Sequence, residues 1–325
     1  MNASLALAAL LATVQHGEVA FHPGPEEPKV PALFRLDAAT FPYQARLLRR
    51  TPGYSVSAVT FPSPVVSPDP ANNVVHAEYF RPRRSGTCPA AVVLHILGAD
   101  FALSRFLAAR LADSGVAALF VKLPYYGERR PPGVDSRFLS ADLERSVLAV
   151  RQGVCDVRRA SQWLRDREEI DPNRVGVTGI SLGGIISAVA AGVDPELDRA
   201  ALVLAGGGLA DILWDLPEPE ARDSRRAWLD SGRSRDDLEA LTRPFDPLTY
   251  ADRLRDKRVL MIAGRADEVI PPSAASRLWE AAGRPSIRWY DCGHYSAAGY
   301  LLPAIREVVA FFADQTGSPD SRTSR

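Results

Sequence analysis

A serine flanked by glycines stands between a buried strand and a helix, and this junction limits the fold more than any other feature. Residues 174–180 read RVGVTGI, a run typical of a buried strand, and residues 182–191 read LGGIISAVAA, a run of small residues typical of a helix. Ser181 lies at the turn, within the G-x-S-x-G pattern GISLG. Such a tight turn needs small neighbours, and it lifts the serine oxygen above the sheet beside helix N–H groups. Helix capping by Ser181 is the alternative, but a cap needs no glycine on either side.

Strands and helices alternate along the chain from residue 88 onward. The pattern predicts strands at residues 90–95, 116–123, 174–180, 200–204, 258–263 and 286–290. It predicts helices at residues 104–113, 142–167, 182–191 and 303–314. This alternation predicts an α/β fold with a mostly parallel twisted sheet and helices on both faces.

The pattern of residues along the sequence divides the chain into three parts. We predict that residues 1–87 form an N-terminal extension with edge strands packed on the core, and that residues 55–61 and 73–80 pair antiparallel. Residues 88–316 form the core. Within it, the segment at about 206–250 breaks the alternation with consecutive glycines and dense Arg and Asp, and we expect a helical lid insertion there. Residues 317–325 are expected to be a disordered tail.

Charge and composition exclude several classes of function. Lys+Arg 39 balances Asp+Glu 39, so there is no basic footprint for nucleic acid or for an anionic membrane surface. No apolar stretch is long enough to span a membrane. Cys 3 is an odd number and gives no disulfide framework. We expect a cytoplasmic protein whose apolar residues 3–14 form a packed helix, with a non-standard signal segment as the alternative.

The downstream sequence supplies a candidate base and a candidate acid for Ser181. A serine at such a turn is followed along the chain by an acid and then a histidine. His294 is the only histidine after Ser181, and it follows the strand SIRWY directly. Asp267 follows the preceding strand, where a carboxylate can orient an imidazole. Glu268 is expected to point elsewhere, and Asp291 is too close in sequence to face the ring.

Two backbone N–H groups are needed to hold a developing oxyanion. One is expected from Leu182, which follows the serine. The other is expected from Leu97, with Ile96 as the alternative, in the loop after the strand AAVVLH. His95, at the end of that strand, is expected to be structural.

Aromatic residues near the predicted site are candidates for substrate binding. Tyr125 and Tyr126 follow a core strand, and Trp214 and Trp228 belong to the insertion. Simple packing is the competing interpretation for all four residues. No His or Cys pair has the spacing of a metal site, and no phosphate-binding glycine motif follows a strand. We therefore expect no metal and no cofactor.

The motifs GISLG, GRADEVIPP and CGHYS together resemble the α/β-hydrolase superfamily over roughly residues 88–315. The resemblance is to serine esterases, similar to dienelactone hydrolases, acetyl-ester deacetylases and prolyl-oligopeptidase-type esterases. It implies that Ser181 is the nucleophile, Asp267 the acid and His294 the base. The His-Gly pair of that superfamily is His95-Ile96 here, which puts the second oxyanion donor in question. Dienelactone hydrolases carry cysteine, and dehalogenases aspartate, where this chain has Ser181.

The expected function is cleavage of a small-molecule carboxylic ester through an acyl-enzyme intermediate. A peptidase, a thioesterase or an acyltransferase would use the same residues, and a binding protein could retain the fold without turnover. Composition and motifs leave the acyl chain, the leaving group and the oligomeric state open.

Overall fold

One mixed sheet of ten strands organises the part of the chain that the computed structural model describes, residues 14–98, 101–133, 138, 143–216 and 219–314. The strands are β1 (Val14–Phe21), β2 (Ala39–Arg50), β3 (Tyr54–Pro62), β4 (Val74–Pro82), β5 (Cys88–Leu94), β6 (Ala117–Val121), β7 (Ile170–Ile180), β8 (Arg199–Val203), β9 (Arg258–Gly264) and β10 (Ser286–Tyr290). The helices are α1 (Ala102–Asp113), α2 (Leu143–Arg165), α3 (Leu182–Val193), α4 (Leu209–Asp215), α5 (Pro219–Asp230), α6 (Arg235–Thr242), α7 (Pro272–Ala281) and α8 (Leu301–Phe312). Short 3-10 segments lie at Glu27–Lys29, Pro70–Asn73, Gly127–Arg129, Arg243–Phe245, Pro247–Leu254 and Ser296–Tyr300.

The sheet is parallel in its core and antiparallel at its N-terminal side. Its strand order is β1-β2-β3-β4-β6-β5-β7-β8-β9-β10. Strands β6, β5, β7, β8, β9 and β10 pair in parallel, and β1 to β4 pair antiparallel and join the core through β4 and β6. Every residue of β5 and β6 is buried, as expected for strands covered on both faces. The predicted α/β fold with a mostly parallel sheet is confirmed.

Helices cover both faces of this sheet. Successive side chains of a strand point to opposite faces, and in β5 Val92 and Leu94 pack with α2 and α3, whereas Ala91 and Val93 pack with α1 and α8. The sheet therefore separates two apolar clusters. Its carboxyl edge is the place where side chains from both layers can meet.

The N-terminal strands differ from the expectation in number. Residues 55–61 and 73–80 are within β3 and β4, which pair antiparallel as predicted. They do not form the edge, because β1 and β2 add outside them. β2 alternates apolar and polar residues through Phe41, Tyr43 and Ala45, but Pro42 interrupts the run and most residues of β1 and β2 are exposed or only partly buried.

Several predictions fall outside the described residues. The N-terminal helix or signal segment was predicted at residues 3–14. Residues 3–13 lie outside the described part of the chain, and Val14 begins strand β1. The predicted tail at residues 317–325 also lies outside them.

Two helices differ from the prediction. Helix α7 was not predicted, and α8 begins two residues before the expected start. Within the described ranges, no helix is both long and apolar enough to cross a membrane.

The segment between β8 and β9 contains α4, α5 and α6. The carboxylate of Asp246 accepts hydrogen bonds from the backbone N–H groups of Gly208, at 3.0 Å, and Leu248, at 2.9 Å. Asp211 of α4 forms an ion pair with Arg277 of α7 at 2.6 Å. The start and the end of the segment are thus held to each other, and α4 is tied to the helix that follows β9.

Candidate active site

Ser181 occupies a strained turn at the carboxyl end of β7. Its φ is +54°, a conformation that is costly for a residue with a side chain and is held only where the surrounding structure demands it. A Cβ on Gly179 would lie 2.4 Å from the backbone of Gly183, and one on Gly183 would lie 2.7 Å from the carbonyl oxygen of His95. The glycines of GISLG are therefore needed for β7 and α3 to approach each other so closely, as the sequence predicted.

Ser181, His294 and Asp267 are hydrogen-bonded in series. The Ser181 Oγ atom lies 2.9 Å from His294 Nε2, and His294 Nδ1 lies 2.9 Å from Asp267 Oδ2. The Asp267 side chain is 1% exposed, and its Oδ1 accepts hydrogen bonds from the backbone N–H groups of Val269 and Ile270 at 2.9 and 2.7 Å. The structure thus brings all three predicted side chains together. A carboxylate held in this way fixes the proton on Nδ1 and leaves Nε2 free to accept one from the serine.

Glu268 has a contact that sequence reasoning missed. Its Oε2 atom accepts the backbone N–H of His294 at 2.9 Å, and this hydrogen bond lowers the pKa of the carboxyl. A Cβ on Gly293 would lie 2.4 Å from the same oxygen. Glu268 points away from the imidazole as expected, but it holds the loop that carries it. Asp291 pairs with Arg265 at 3.1 Å, and its side chain is 84% exposed.

The two predicted oxyanion donors lie at the same cavity as Ser181. Leu182 is the first residue of α3, and the N–H groups of a helix's first turn have no carbonyl partner within the helix. Ile96 and Leu97 both line the cavity. The loop after β5 therefore lies beside the serine even though Ile96 stands where the superfamily has glycine.

His95 precedes the loop that contains Ile96 and Leu97 and holds it in place by hydrogen bonds. It is fully buried, its Nε2 accepts the backbone N–H of Leu123 at 3.0 Å, and its Nδ1 lies 2.7 Å from the carbonyl oxygen of Ile96. These partners place the proton on Nδ1. Burial lowers the pKa of His95 to about 4. The expected structural role agrees with these contacts.

The cavity beside Ser181 has a volume of about 1300 Å³. Trp214, Trp228 and His294 line it, and a role of the two tryptophans in substrate binding stays a prediction. Tyr125 and Tyr126 are not among the residues that line it, so their role in substrate binding stays a prediction.

The two tyrosines contact the loops around the site, and the hydroxyl of the half-buried Tyr126 accepts the backbone N–H of Gly98 at 3.4 Å. Tyr125 has a φ of +65°, is 3% exposed, and donates its backbone N–H to Asn72 at 3.0 Å. The ring of Tyr126 packs edge-on against His95, with 4.4 Å between centroids. Both residues support the loops around the site.

No cluster of three or more His, Cys, Asp or Glu side chains arranged to hold a metal ion occurs within the described residues. The hydrogen-bonded serine, histidine and carboxylate can move a proton without a metal.

Comparison with known proteins identifies relatives in sequence. The prolyl oligopeptidase family model matches residues 150–316, and the model of alpha/beta hydrolase domain containing 18 matches residues 58–203. Two uncharacterized proteins of Mycobacterium tuberculosis strain H37Rv are similar. Rv2627c is 30% identical over 69% of this chain and 52% of its own length, and Rv2307c is 29% identical over 64% and 62%. The chain thus spans about half to three fifths of these relatives.

Solved structures share the fold. The acetyl xylan esterase from Paenibacillus sp. R4 has a TM-score of 0.68 and 22% identity, over 82% of this chain and 88% of that enzyme. Acetyl xylan esterase 1 from Thermoanaerobacterium sp. JW/SL YS485 has a TM-score of 0.66 and 20% identity, over 85% and 88%. A puromycin-hydrolyzing peptidase of Mycobacterium tuberculosis has a TM-score of 0.58 and 17% identity, over 85% and 46%. Identities this low indicate a common fold and no more. Together with the family match, which covers just over half of the chain, they lead to one assignment: the chain belongs to the prolyl oligopeptidase family and has the α/β-hydrolase fold.

Proposed function

We propose that the protein is a serine hydrolase that cleaves carboxylic esters, with Ser181 as nucleophile, His294 as general base and acid, and Asp267 as the residue that orients the imidazole. The observation that carries the proposal is the 2.9 Å separation between Ser181 Oγ and His294 Nε2, with Asp267 at 2.9 Å from the other ring nitrogen. The elbow conformation of Ser181 is the second support, because it presents the hydroxyl to the cavity.

Acylation begins with attack of Ser181 Oγ on the ester carbonyl carbon while His294 Nε2 takes the hydroxyl proton. The negative charge that develops on the carbonyl oxygen is held by the N–H groups of Leu182 and of Leu97, or of Ile96 in place of Leu97. Collapse of this intermediate breaks the bond to the alcohol oxygen. The imidazolium returns its proton to that oxygen, and the alcohol leaves.

Deacylation repeats the same steps with water. His294 Nε2 removes a proton from water as its oxygen attacks the acyl carbon, and the same donors hold the oxyanion. The carboxylic acid then leaves, and Ser181 recovers its proton from the imidazolium. Asp267 stabilises the imidazolium in both halves and does not take up the proton.

Cleavage of a peptide bond is the second candidate, and the match to the prolyl oligopeptidase family favours it. The same machinery would serve, with an amine as the leaving group. Thioester cleavage, transfer of the acyl group to an acceptor other than water, and binding without turnover complete the alternatives.

A fluorophosphonate probe and a substrate panel test the proposal. The probe should label the wild type and the Ser286→Ala variant, which changes an exposed serine at the start of β10, and should not label Ser181→Ala. p-Nitrophenyl esters, peptide anilides and acyl-thioesters should then be compared by kcat/KM. A folded wild type that is not labelled would favour a binding protein, and anilides cleaved faster than esters would favour the peptidase.

A further inference from the structure

The cavity at Ser181 crosses the carboxyl edge of the sheet from one helical layer to the other. Ile186 of α3 and Phe245 line it, and they belong to the apolar cluster that includes α2 and α3. Leu107 of α1 and Ile305 of α8 also line it, and they belong to the cluster on the opposite face. Ser181 follows β7 at the edge of the sheet that separates the two clusters. The cavity therefore has an apolar part on each side of the proposed nucleophile.

Aliphatic side chains make up most of the cavity wall. Among the described residues, Arg145, Arg225 and His294 are the lining side chains that can carry charge, and no carboxylate or lysine lines the cavity. Arg145 forms an ion pair with Asp69 at 2.6 Å, and Arg225 donates a hydrogen bond to the carbonyl oxygen of Trp214. Both guanidinium groups thus have partners in the protein.

Such a wall discriminates between classes of ester. A sugar ester would lose the hydration of its many hydroxyl groups here and would find few polar groups in return, chiefly the hydroxyls of Ser146, Ser224, Thr242, Tyr290, Tyr295 and Tyr300. An unpaired buried polar group is costly. An alkyl chain would instead gain up to about fourfold in binding for each methylene removed from water. The volume of about 1300 Å³ exceeds the range of roughly 300–1,000 Å³ that suits most small ligands.

We infer that the substrates are lipophilic esters in which both the acyl part and the alcohol part are large and apolar, one on each side of Ser181. The inference depends on the proposed ester hydrolysis and adds the substrate class to it. It also separates this chain from the acetyl xylan esterases that share its fold.

Two substrate series measure the preference. The first varies the acyl chain from p-nitrophenyl acetate to p-nitrophenyl dodecanoate, and the second varies the alcohol from methyl to octyl butanoate. In each series, kcat/KM should rise by at least about tenfold over the first six added methylenes. An optimum at acetate, or at the methyl ester, would overturn the inference.

Variants that fill one side of the cavity assign each part of the substrate. Ala221 and Ala304 both line the cavity. Ala304→Phe places a ring on the side of α1 and α8, to whose cluster Ala304 belongs. Ala221→Phe places one on the side of α2 and α3, because α5 contacts α4 and Leu209 of α4 packs against that cluster. Leu229→Phe and Leu302→Phe are the matched controls, since these residues lie on the same helices, are 49% and 55% exposed, and do not line the cavity.

One filling variant should lose the acyl-chain preference and the other the alcohol-chain preference, while both controls keep the wild-type ratios. If both filling variants affect the same series, or if neither does, the two-sided arrangement is overturned. Labelling of Ser181 by a fluorophosphonate separates this result from failure of the proposed function. A protein that is labelled and prefers acetate contradicts only the substrate class, whereas a folded protein that is neither labelled nor active on any ester contradicts both.

Discussion

The imidazole Nε2 of His294 lies 2.9 Å from the hydroxyl oxygen of Ser181, although the two residues are 113 positions apart in the chain. The sheet explains this proximity. Ser181 follows β7, and His294 lies in the loop after β10, so both leave parallel strands at the carboxyl edge where ligands of open α/β sheets bind. Asp267, after β9, lies at the same edge.

Replacement of His294 by alanine should lower kcat on p-nitrophenyl esters by on the order of 10³-fold or more, because the Ser181 hydroxyl loses its base. KM should change far less, and the melting temperature should stay near that of the wild type. Steady-state kinetics and thermal unfolding measure the two effects. A variant with near-normal kcat would mean that another group accepts the proton.

Asp267→Asn should also impair kcat strongly, by roughly 10³- to 10⁴-fold, since an amide that donates to Nδ1 would stabilise the wrong imidazole tautomer. Asp291→Asn is the matched control, because Asp291 is an exposed acid three residues before His294 and pairs with Arg265. Equal kcat values for the two variants would show that Asp267 does not orient the ring.

Glu268→Ala should reduce kcat roughly fivefold with little change in KM, because the His294 loop loses one hydrogen bond that positions the imidazole. Glu268→Gln retains an oxygen that can accept the His294 N–H and should recover most of the activity. A merely structural role would lower the melting temperature of Glu268→Ala and leave kcat of the folded protein unchanged.

Gly183→Ala should destabilise the protein by about 1–3 kcal/mol, because its Cβ would lie 2.7 Å from the carbonyl oxygen of His95 and 2.8 Å from that of Leu94. Both are backbone atoms, which cannot move aside as the end of a flexible side chain could. Gly299→Ala is the control, since a Cβ there meets nothing within 4 Å. Denaturant unfolding measures the difference, and equal midpoints for the two variants would contradict the packing argument.

His95 should make stability depend on pH below neutrality. Its pKa is about 4 in the folded protein and near 6.5 in the unfolded chain, so the unfolded state binds the extra proton between these values. His95 therefore does not lower the free energy of unfolding well above pH 6.5. Below that, the free energy of unfolding falls as the pH drops towards 4. From pH 7 to pH 5 the loss should be about 2 kcal/mol.

His95→Gln removes the titrating group and retains an oxygen that can accept the Leu123 N–H. Denaturant unfolding at the two pH values should show a smaller loss for this variant than for the wild type. The same loss in both proteins would mean that His95 does not titrate on unfolding.

The elbow around Ser181, the alternation of strands and helices, and the order of Ser181, Asp267 and His294 could all be predicted from the sequence. Each depends on short runs of residues. The spacing of apolar residues in such a run, or the small size of its side chains, indicates one local structure. Strands β1 and β2 were not predicted, although Phe41 and Tyr43 of β2 alternate with exposed residues, because Pro42 interrupts that run and few residues of either strand are buried.

The roles of the supporting residues depended on contacts between distant segments. Tyr125 follows a core strand, yet its backbone bonds to Asn72 and turns the ring away from the cavity. Glu268 holds the His294 loop across 26 positions. The cavity itself lies where two helical layers meet at one edge of the sheet, and no local pattern encodes a space that forms only when both layers have packed.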